Sequence, residues 1–308
     1  MRKTFYLASA VLLFGLASCS KEFARNEEIT SLSFTVDDLV PVEDIDSPHT
    51  KTSLDDNKKI IWADGDTVGI YPNAGAQVFF STEIGADASS VKFDGGGWDF
   101  KAGSLYYGYY PFIGDIYLDR NKIPVSFIGQ KQVGATGISH IGAHHYMYTD
   151  ATSSNSGSLS FAFHHLCCII NPKLTLPAGT YTKLAITAPS AVFAKKGYYN
   201  LAAGSCAIVP TETSNQIQID LQGITLTQES LVAVYLTSAP VDLKGQQITV
   251  SVLNSEGVEK QCIKTPSAVY AAGVLAGLTC SSWTDVPQSV GFIISNWGDG
   301  GSISGGAE

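Results

Sequence analysis

Charge is scarce in this chain: Asp, Glu, Lys and Arg make up 15% of its 308 residues, against about 25% in ordinary soluble domains. Basic residues are the scarcer sign, 19 against 28 acidic ones. They are scattered apart from short pairs such as Lys58-Lys59 and Lys195-Lys196, so nothing clusters densely enough to displace counterions from a polyanion, and nucleic acid is excluded as a partner. Helical periodicity is missing too. No window of typical helix length keeps apolar residues at i, i+3, i+4 and i+7 without an intervening Gly or Pro. The sequence has no P-loop, no G-x-G-x-x-G between a strand and a helix, no G-x-S-x-G elbow and no H-E-x-x-H. No catalytic residue and no cofactor can be named from it, and the chain reads as a non-enzyme. An enzymatic alternative would need a cleft with converging polar groups and perturbed titration.

One apolar run stands out at the start. Residues 4–17 follow Arg2 and Lys3 and end in Leu16-Ala17-Ser18-Cys19. The run is too short to cross a bilayer stably, and small residues before a cysteine suit a peptidase that cuts ahead of a lipidated Cys. Residues 1–18 are therefore expected to be a lipoprotein signal peptide, Cys19 the lipidation site and 19–28 a lipidated linker, anchored to a membrane without spanning it. The alternative is an ordinary secretory signal with a chance cysteine; either reading exports the chain. Loss of Arg2 and Lys3 leaves 17 basic residues against 28 acidic, net −11, which favours solubility.

Cysteine is also sparse. Beyond Cys19 there are Cys167, Cys168, Cys206, Cys262 and Cys280, none in a C-x-x-C spacing. An odd number cannot all pair, so they read mostly as small buried apolar residues with one disulfide possible. The adjacent Cys167 and Cys168 would point to opposite faces of a strand and are unsuited to a shared metal.

What is present is strand-forming. Short apolar runs punctuated by turn residues occur at 32–36, 60–62, 67–71, 104–110, 158–170, 181–187, 216–221, 231–236, 248–253 and 289–295. The expected fold is all-β, two antiparallel β-sandwiches, with Trp62 and alternate residues of Phe161–Ile169 in the cores. The polar run Asp150–Ser158 reads as a linker, dividing an N-terminal sandwich at 29–152 from a C-terminal sandwich at 153–308 that ends in a Gly-rich tail.

Three groups of residues invite chemistry. His140, His144 and His145 lie near His164 and His165 in sequence, a conceivable zinc or copper set, although imidazoles in such a context more often simply hydrogen-bond. Asp37-Asp38, Asp55-Asp56 and Asp64-Gly65-Asp66 lack the twelve-residue spacing of an EF-hand loop; Asp64-Gly65 reads as a hairpin turn. No metal site is assigned. Tyr106-Tyr107-Gly108-Tyr109-Tyr110 could stack on sugar rings, but strand alternation should send one pair into the core.

Several separated segments resemble one family. The lipobox, Lys51-Thr52-Ser53 followed by Trp62–Ile70 (WADGDTVGI), the Tyr-rich segment ending Tyr110-Pro111-Phe112, Phe161–Leu166 (FAFHHL) and Tyr270-Ala271-Ala272-Gly273 together are similar to the fimbrillin (Mfa-like) family, type V pilus subunits of Bacteroides-type bacteria. The resemblance implies two transthyretin-like sandwiches in a structural or adhesive fimbrial subunit, exported to the outer membrane and cell surface as a lipoprotein precursor. It further implies polymerisation with other pilus subunits by donor-strand exchange, triggered by a trypsin-like protease, with a host or bacterial surface receptor as a further partner. On this reading Leu32, Phe34 and Val36 line the displaced strand, and Lys51 or Arg25 marks the cut. Val290, Phe292 and Ile294 line the donor strand, which could equally be the last strand of its own sandwich. The alternative function is a monomeric surface lipoprotein that binds glycans, which would show exposed aromatic pairs.

Overall fold

The computed structural model describes residues 29–42, 60–82, 90–91, 93–94, 99–114, 118–203 and 206–286. Among these residues the chain is all-β, and its helical content is one 3-10 turn, Ile141–Ala143. Alternation makes the strands: Ser158–His165 and Gln216–Leu226 bury every second residue along most of their length, as a half-buried sheet requires. Turns fall where the backbone needs positive φ, as at Gly65, whose φ is 80°, in the expected Asp64-Gly65 turn before the strand Thr67–Pro72.

Four sheets form. The first two strands are β1 (Ser31–Val36) and β2 (Val40–Val42). An eight-stranded sheet runs, in spatial order, Ser90–Val91, β1, Ser158–His165, Met147–Thr149, Tyr106–Tyr110, Thr67–Pro72, Val78–Thr82 and Phe93–Asp94. Its two margins are neighbouring stretches of chain, so the sheet curls nearly onto itself. A five-stranded sheet holds Ser230–Ala233, Leu236–Ser238, Cys168–Leu176, Val274–Cys280 and β2. Six strands from Thr284–Asp285 to Lys131–Val133 face it, and three more, Val209–Ser214, Phe193–Tyr199 and Ile123–Ser126, form the last sheet.

The all-β expectation holds, and Trp62, Phe161, Phe163, His165, Cys167 and Ile169 are buried as expected. Pairing is more mixed than the purely antiparallel arrangement expected. β1 runs parallel to Ser158–His165, β2 and Cys168–Leu176 run parallel to Val274–Cys280, and Lys131–Val133 runs parallel to Gln216–Leu226. The run 158–170, expected as one strand, is two: Leu166 and Cys167 leave the ladder, and the chain passes from the eight-stranded to the five-stranded sheet. Sheets also share strands across residue 152. Ser158–His165 lies in the eight-stranded sheet, while Ile123–Ser126 and Lys131–Val133 pair with strands from the later half. The polar run 150–158 is itself held, Thr152 exchanging both main-chain bonds with Tyr106 at 2.8 Å.

Four buried clusters result. One is aromatic, containing Phe34, Trp62, Phe80, Phe100, Phe161 and Phe163 inside the eight-stranded sheet. A second, with Tyr71, Tyr109, Phe127 and Tyr199, lies on that sheet's other face against the three-stranded sheet. A third is aliphatic, between the five- and six-stranded sheets. The fourth, with Leu39, Ile60, Ile138, Ile141, Ile169 and Leu275, sits at the junction.

Candidate functional site

The segment 29–42 is the element on which the most converges. Along β1, Phe34 is fully buried while Leu32 and Val36 are half-buried against the same aromatic cluster, and Ser31 and Thr35 face outward. The Phe34 ring stacks on Phe161 at 5.3 Å between centroids and approaches Phe80 at 6.0 Å and Phe163 at 6.2 Å. Beyond β1, Leu39 is buried in the junction cluster, and Val42 packs on the aliphatic core. One short stretch of chain therefore closes three cores.

Its main-chain bonds reach equally far. Thr30 and Ser31 amides donate to the Gly157 carbonyl at 2.8 and 3.2 Å, Asp37 to Phe163 at 3.0 Å and Val40 to Gly273 at 2.7 Å. The ladder partner of β1 lies 127 residues away in sequence, so no hairpin turn ties the strand to its neighbour. On the other side, among the described residues, Phe34 and Thr35 pair with Val91 and Ser90. Among the described residues, β1 is thus held by these packing and main-chain contacts.

A histidine chain fastens the joint between β1 and β2. His165 Nε2 donates to the Asp37 carbonyl at 2.9 Å, which makes its Nδ1 the acceptor for His145 Nε2–H at 2.8 Å. Beside it, His164 Nδ1 meets the Asp37 carboxylate at 2.7 Å, and its Nε2 lies 3.6 Å from Asp150. Burial lowers the pKa of His145 well below the ordinary histidine value, reinforced by neighbouring His165. Burial also lowers His165, against the opposing pull of Asp37. Both imidazoles are therefore neutral at pH 7, as the hydrogen-bond chain needs.

Those segments of the family resemblance that fall among the described residues gather around this strand. Trp62 Nε1 donates to the Phe34 carbonyl at 3.3 Å, and its ring meets Tyr110 and Phe163 edge-on. Asp66 accepts from the Ala63 amide at 2.7 Å and the Tyr110 hydroxyl at 2.8 Å, and burial beside that carboxylate drives the Tyr110 pKa well up. Gly69 is required because Tyr109 lies across it: a Cβ there would sit 2.0 Å from the ring. Gly273, at φ 76° and against His165, donates to Cys167 at 2.8 Å while accepting from Val40. A cavity of about 290 Å³ adjoins the site, walled by Ile60, Trp62, Asp66, Tyr110, Ile141 and His145 among others.

Other residues singled out from the sequence separate. His140 donates to Tyr235 O at 2.7 Å and His144 to Ser126 O at 3.0 Å, and among the described residues no group of three or more His, Cys, Asp or Glu assembles around a point. The tyrosines fill two cores rather than one: Tyr106 and Tyr110 enter the aromatic cluster, Tyr107 and Tyr109 the one behind the sheet, where Arg120 lies 5.0 Å over the Tyr107 ring. Neither pair is left free as a stacking platform. Cys19, Arg25, Lys51, Asp55, Asp56, Val290, Phe292 and Ile294 lie outside the described residues. The role of His145 and His165 as a fastener of the first strand was missed, although the two His-His pairs were the visible signal.

No protein-family model matches the sequence, and no curated protein matches it. Among solved structures, the chain is similar to one from Bacteroides ovatus described as a "putative cell adhesion protein". It shares 12% identity over 84% of this chain and 96% of that one, with a TM-score of 0.52. A second, from Bacteroides uniformis and described in the same words, shares 15% identity over 73% of this chain and 92% of that one, with a TM-score of 0.50. At these identities the likeness establishes the fold: the β-sandwich architecture implied by the family resemblance is the one this chain has.

Proposed function

We propose that this chain is a structural or adhesive subunit of a surface fimbrium, exported as a lipoprotein precursor on Cys19 and polymerised by donor-strand exchange. One observation carries the reading: the stretch 29–42 seals three cores, and among the described residues side-chain packing and main-chain bonds hold it there with no hairpin to its long ladder partner Ser158–His165. A cut at Lys51 would sever the link from β2 to the rest of the chain, whereas a cut after Arg25 would leave β1 joined to the body. Loss of β1 would then uncover Phe80, Phe161 and Phe163 and leave the edge of Ser158–His165 unpaired, a slot that another strand can fill with the same ladder bonds. Val290, Phe292 and Ile294 alternate as such a strand requires, and the glycines after Trp297 would let it reach a neighbouring subunit. The cell adhesion descriptions of the two similar structures support this reading, as does the convergence of the resembling motifs on β1.

Brief trypsin treatment of the purified chain tests it. Cleavage is expected after Lys51 or a nearby basic residue, slowed by Lys51→Ala, and the product should form ladders on a gel. Truncation from Val290 onward should leave cleavage intact and abolish the ladder. A cut product that stays monomeric with its C-terminus present overturns self-polymerisation. Cys19→Ala should release the protein from membranes; an unchanged membrane-bound product would sink the anchoring step.

A further inference from the structure

Five cysteines fall among the described residues, all as free thiols. Three are engaged with main chain. Cys167 Sγ accepts from the Tyr146 amide at 3.3 Å, Cys168 reaches the Ser238 carbonyl at 3.6 Å, and Cys206 reaches the Asn200 carbonyl at 3.4 Å. The other two, Cys262 and Cys280, lie close enough to influence each other and share one buried cluster. Both lie in the aliphatic core, Cys280 fully buried and Cys262 6% exposed.

The topology is consistent with this proximity. Cys280 ends the strand Val274–Cys280 of the five-stranded sheet. The chain then crosses over through Ser281-Ser282-Trp283, and Thr284–Asp285 pairs with Glu259–Lys264 of the six-stranded sheet, Thr284 opposite Gln261 and Asp285 opposite Lys260. Cys280 is therefore a short crossover away from the ladder partner of the residue next to Cys262. The crossover is fixed on both sides, by Trp283 Nε1 donating to the Thr175 carbonyl at 2.7 Å and by Lys260 pairing with Asp285 at 2.5 Å.

We propose that Cys262 and Cys280 are a disulfide site, bolting the two facing sheets together close to the strand Thr284–Asp285. The chemistry is thiol–disulfide exchange with an external disulfide, either a small one such as oxidised glutathione or that of an oxidoreductase. One cysteine thiolate attacks the donor disulfide and releases the first donor thiol. The second cysteine thiolate then displaces the other, so that two protein thiols and one donor disulfide become one protein disulfide and two donor thiols, and two electrons pass to the donor. Burial pushes the Cys280 thiol far above its ordinary range, so it is a poor nucleophile once the core has closed, and oxidation belongs to the folding chain. The bridge would close the loop 262–280 and restrain the strand that precedes the proposed donor segment. Its setting in the cell rests on the export reading; the pairing does not.

The test refolds the full chain from denaturant and reductant into a buffer of oxidised and reduced glutathione, then alkylates, digests and maps it. Expected are one linked peptide pair containing Cys262 and Cys280, an intact mass lower by about 2 Da, and alkylated Cys167, Cys168 and Cys206. The oxidised form should melt on the order of 5 °C higher than the reduced one, a gain removed by dithiothreitol and absent in Cys262→Ser. Alkylation of Cys262 and Cys280 after refolding, or a linkage to any other cysteine, overturns the proposal; the wild-type map decides this even if the variant fails to fold. If the bridge forms in the purified chain while protein recovered from cells carries both thiols reduced, the site stands and the export reading falls.

Discussion

Phe34 is the single side chain on which β1 depends most. Three phenylalanine rings lie within 6.2 Å of it, and the indole of Trp62 bonds its carbonyl. Truncation would leave a cavity that these large rings cannot collapse to fill. Phe34→Ala should therefore cost about 3–5 kcal/mol, read as a lower urea midpoint at unchanged slope. Thr35→Ala, facing solvent on the same strand, should move it by less than about 0.5 kcal/mol. A change below about 1 kcal/mol for Phe34→Ala would mean that β1 is not seated as described. The alternation Leu32-Phe34-Val36 was legible because a strand's period of two needs only local sequence. The requirement for Gly69 was not, since the ring that lies across it comes from Tyr109 on a different strand.

At the scale of elements, the joint between β1 and β2 is where acidity should act. His145 and His165 are both held below the ordinary histidine value by burial. The unfolded chain therefore takes up protons first as pH falls. Their contribution is complete above about pH 6.5 and is lost as pH drops below that toward the folded-state values, at up to about 1.4 kcal/mol per pH unit for each proton. The groups around the pair temper this: Asp37 and Asp38 favour the charged form of His165 and His164 opposes it, while burial and His165 together lower His145. Urea midpoints should fall between pH 7.5 and 5.5, and His165→Gln, which keeps a donor for the Asp37 carbonyl but cannot titrate, should flatten the slope. An equal slope in wild type and variant would assign the titration elsewhere. The break at Leu166-Cys167 belongs to this scale as well. The run 158–170 reads as one apolar strand because both sheets it serves demand buried residues, and nothing local marks the crossover.

For the whole molecule, composition and turn chemistry were enough for an all-β chain, but the parallel pairing of β1 with a strand 127 residues away leaves no local trace. That pairing governs the last prediction. A strand tied by a hairpin stays tethered on one side after a cut; β1 does not, so a cut between β2 and Ile60 leaves the N-terminal fragment held by non-covalent contacts alone. Those contacts are substantial. Burial of Phe34 is worth about 1.5–3 kcal/mol, and each main-chain bond from Thr30, Asp37 and Val40 adds roughly 0.5–1.5 kcal/mol. Cleavage alone should then fail to release the fragment: in a chain truncated before Val290, which lacks the proposed donor, the piece containing 29–42 is expected to co-elute with the body on size exclusion at pH 7.5 after trypsin. It should dissociate in mild urea and, more slowly, when a synthetic peptide spanning 288–297 is added, because an incoming strand restores the ladder and refills the aromatic cluster as the old one leaves. Phe34→Ala should speed release in both cases. Spontaneous loss of the fragment from the truncated chain, or release no faster with the peptide than with a scrambled control, would remove strand exchange as the route to assembly.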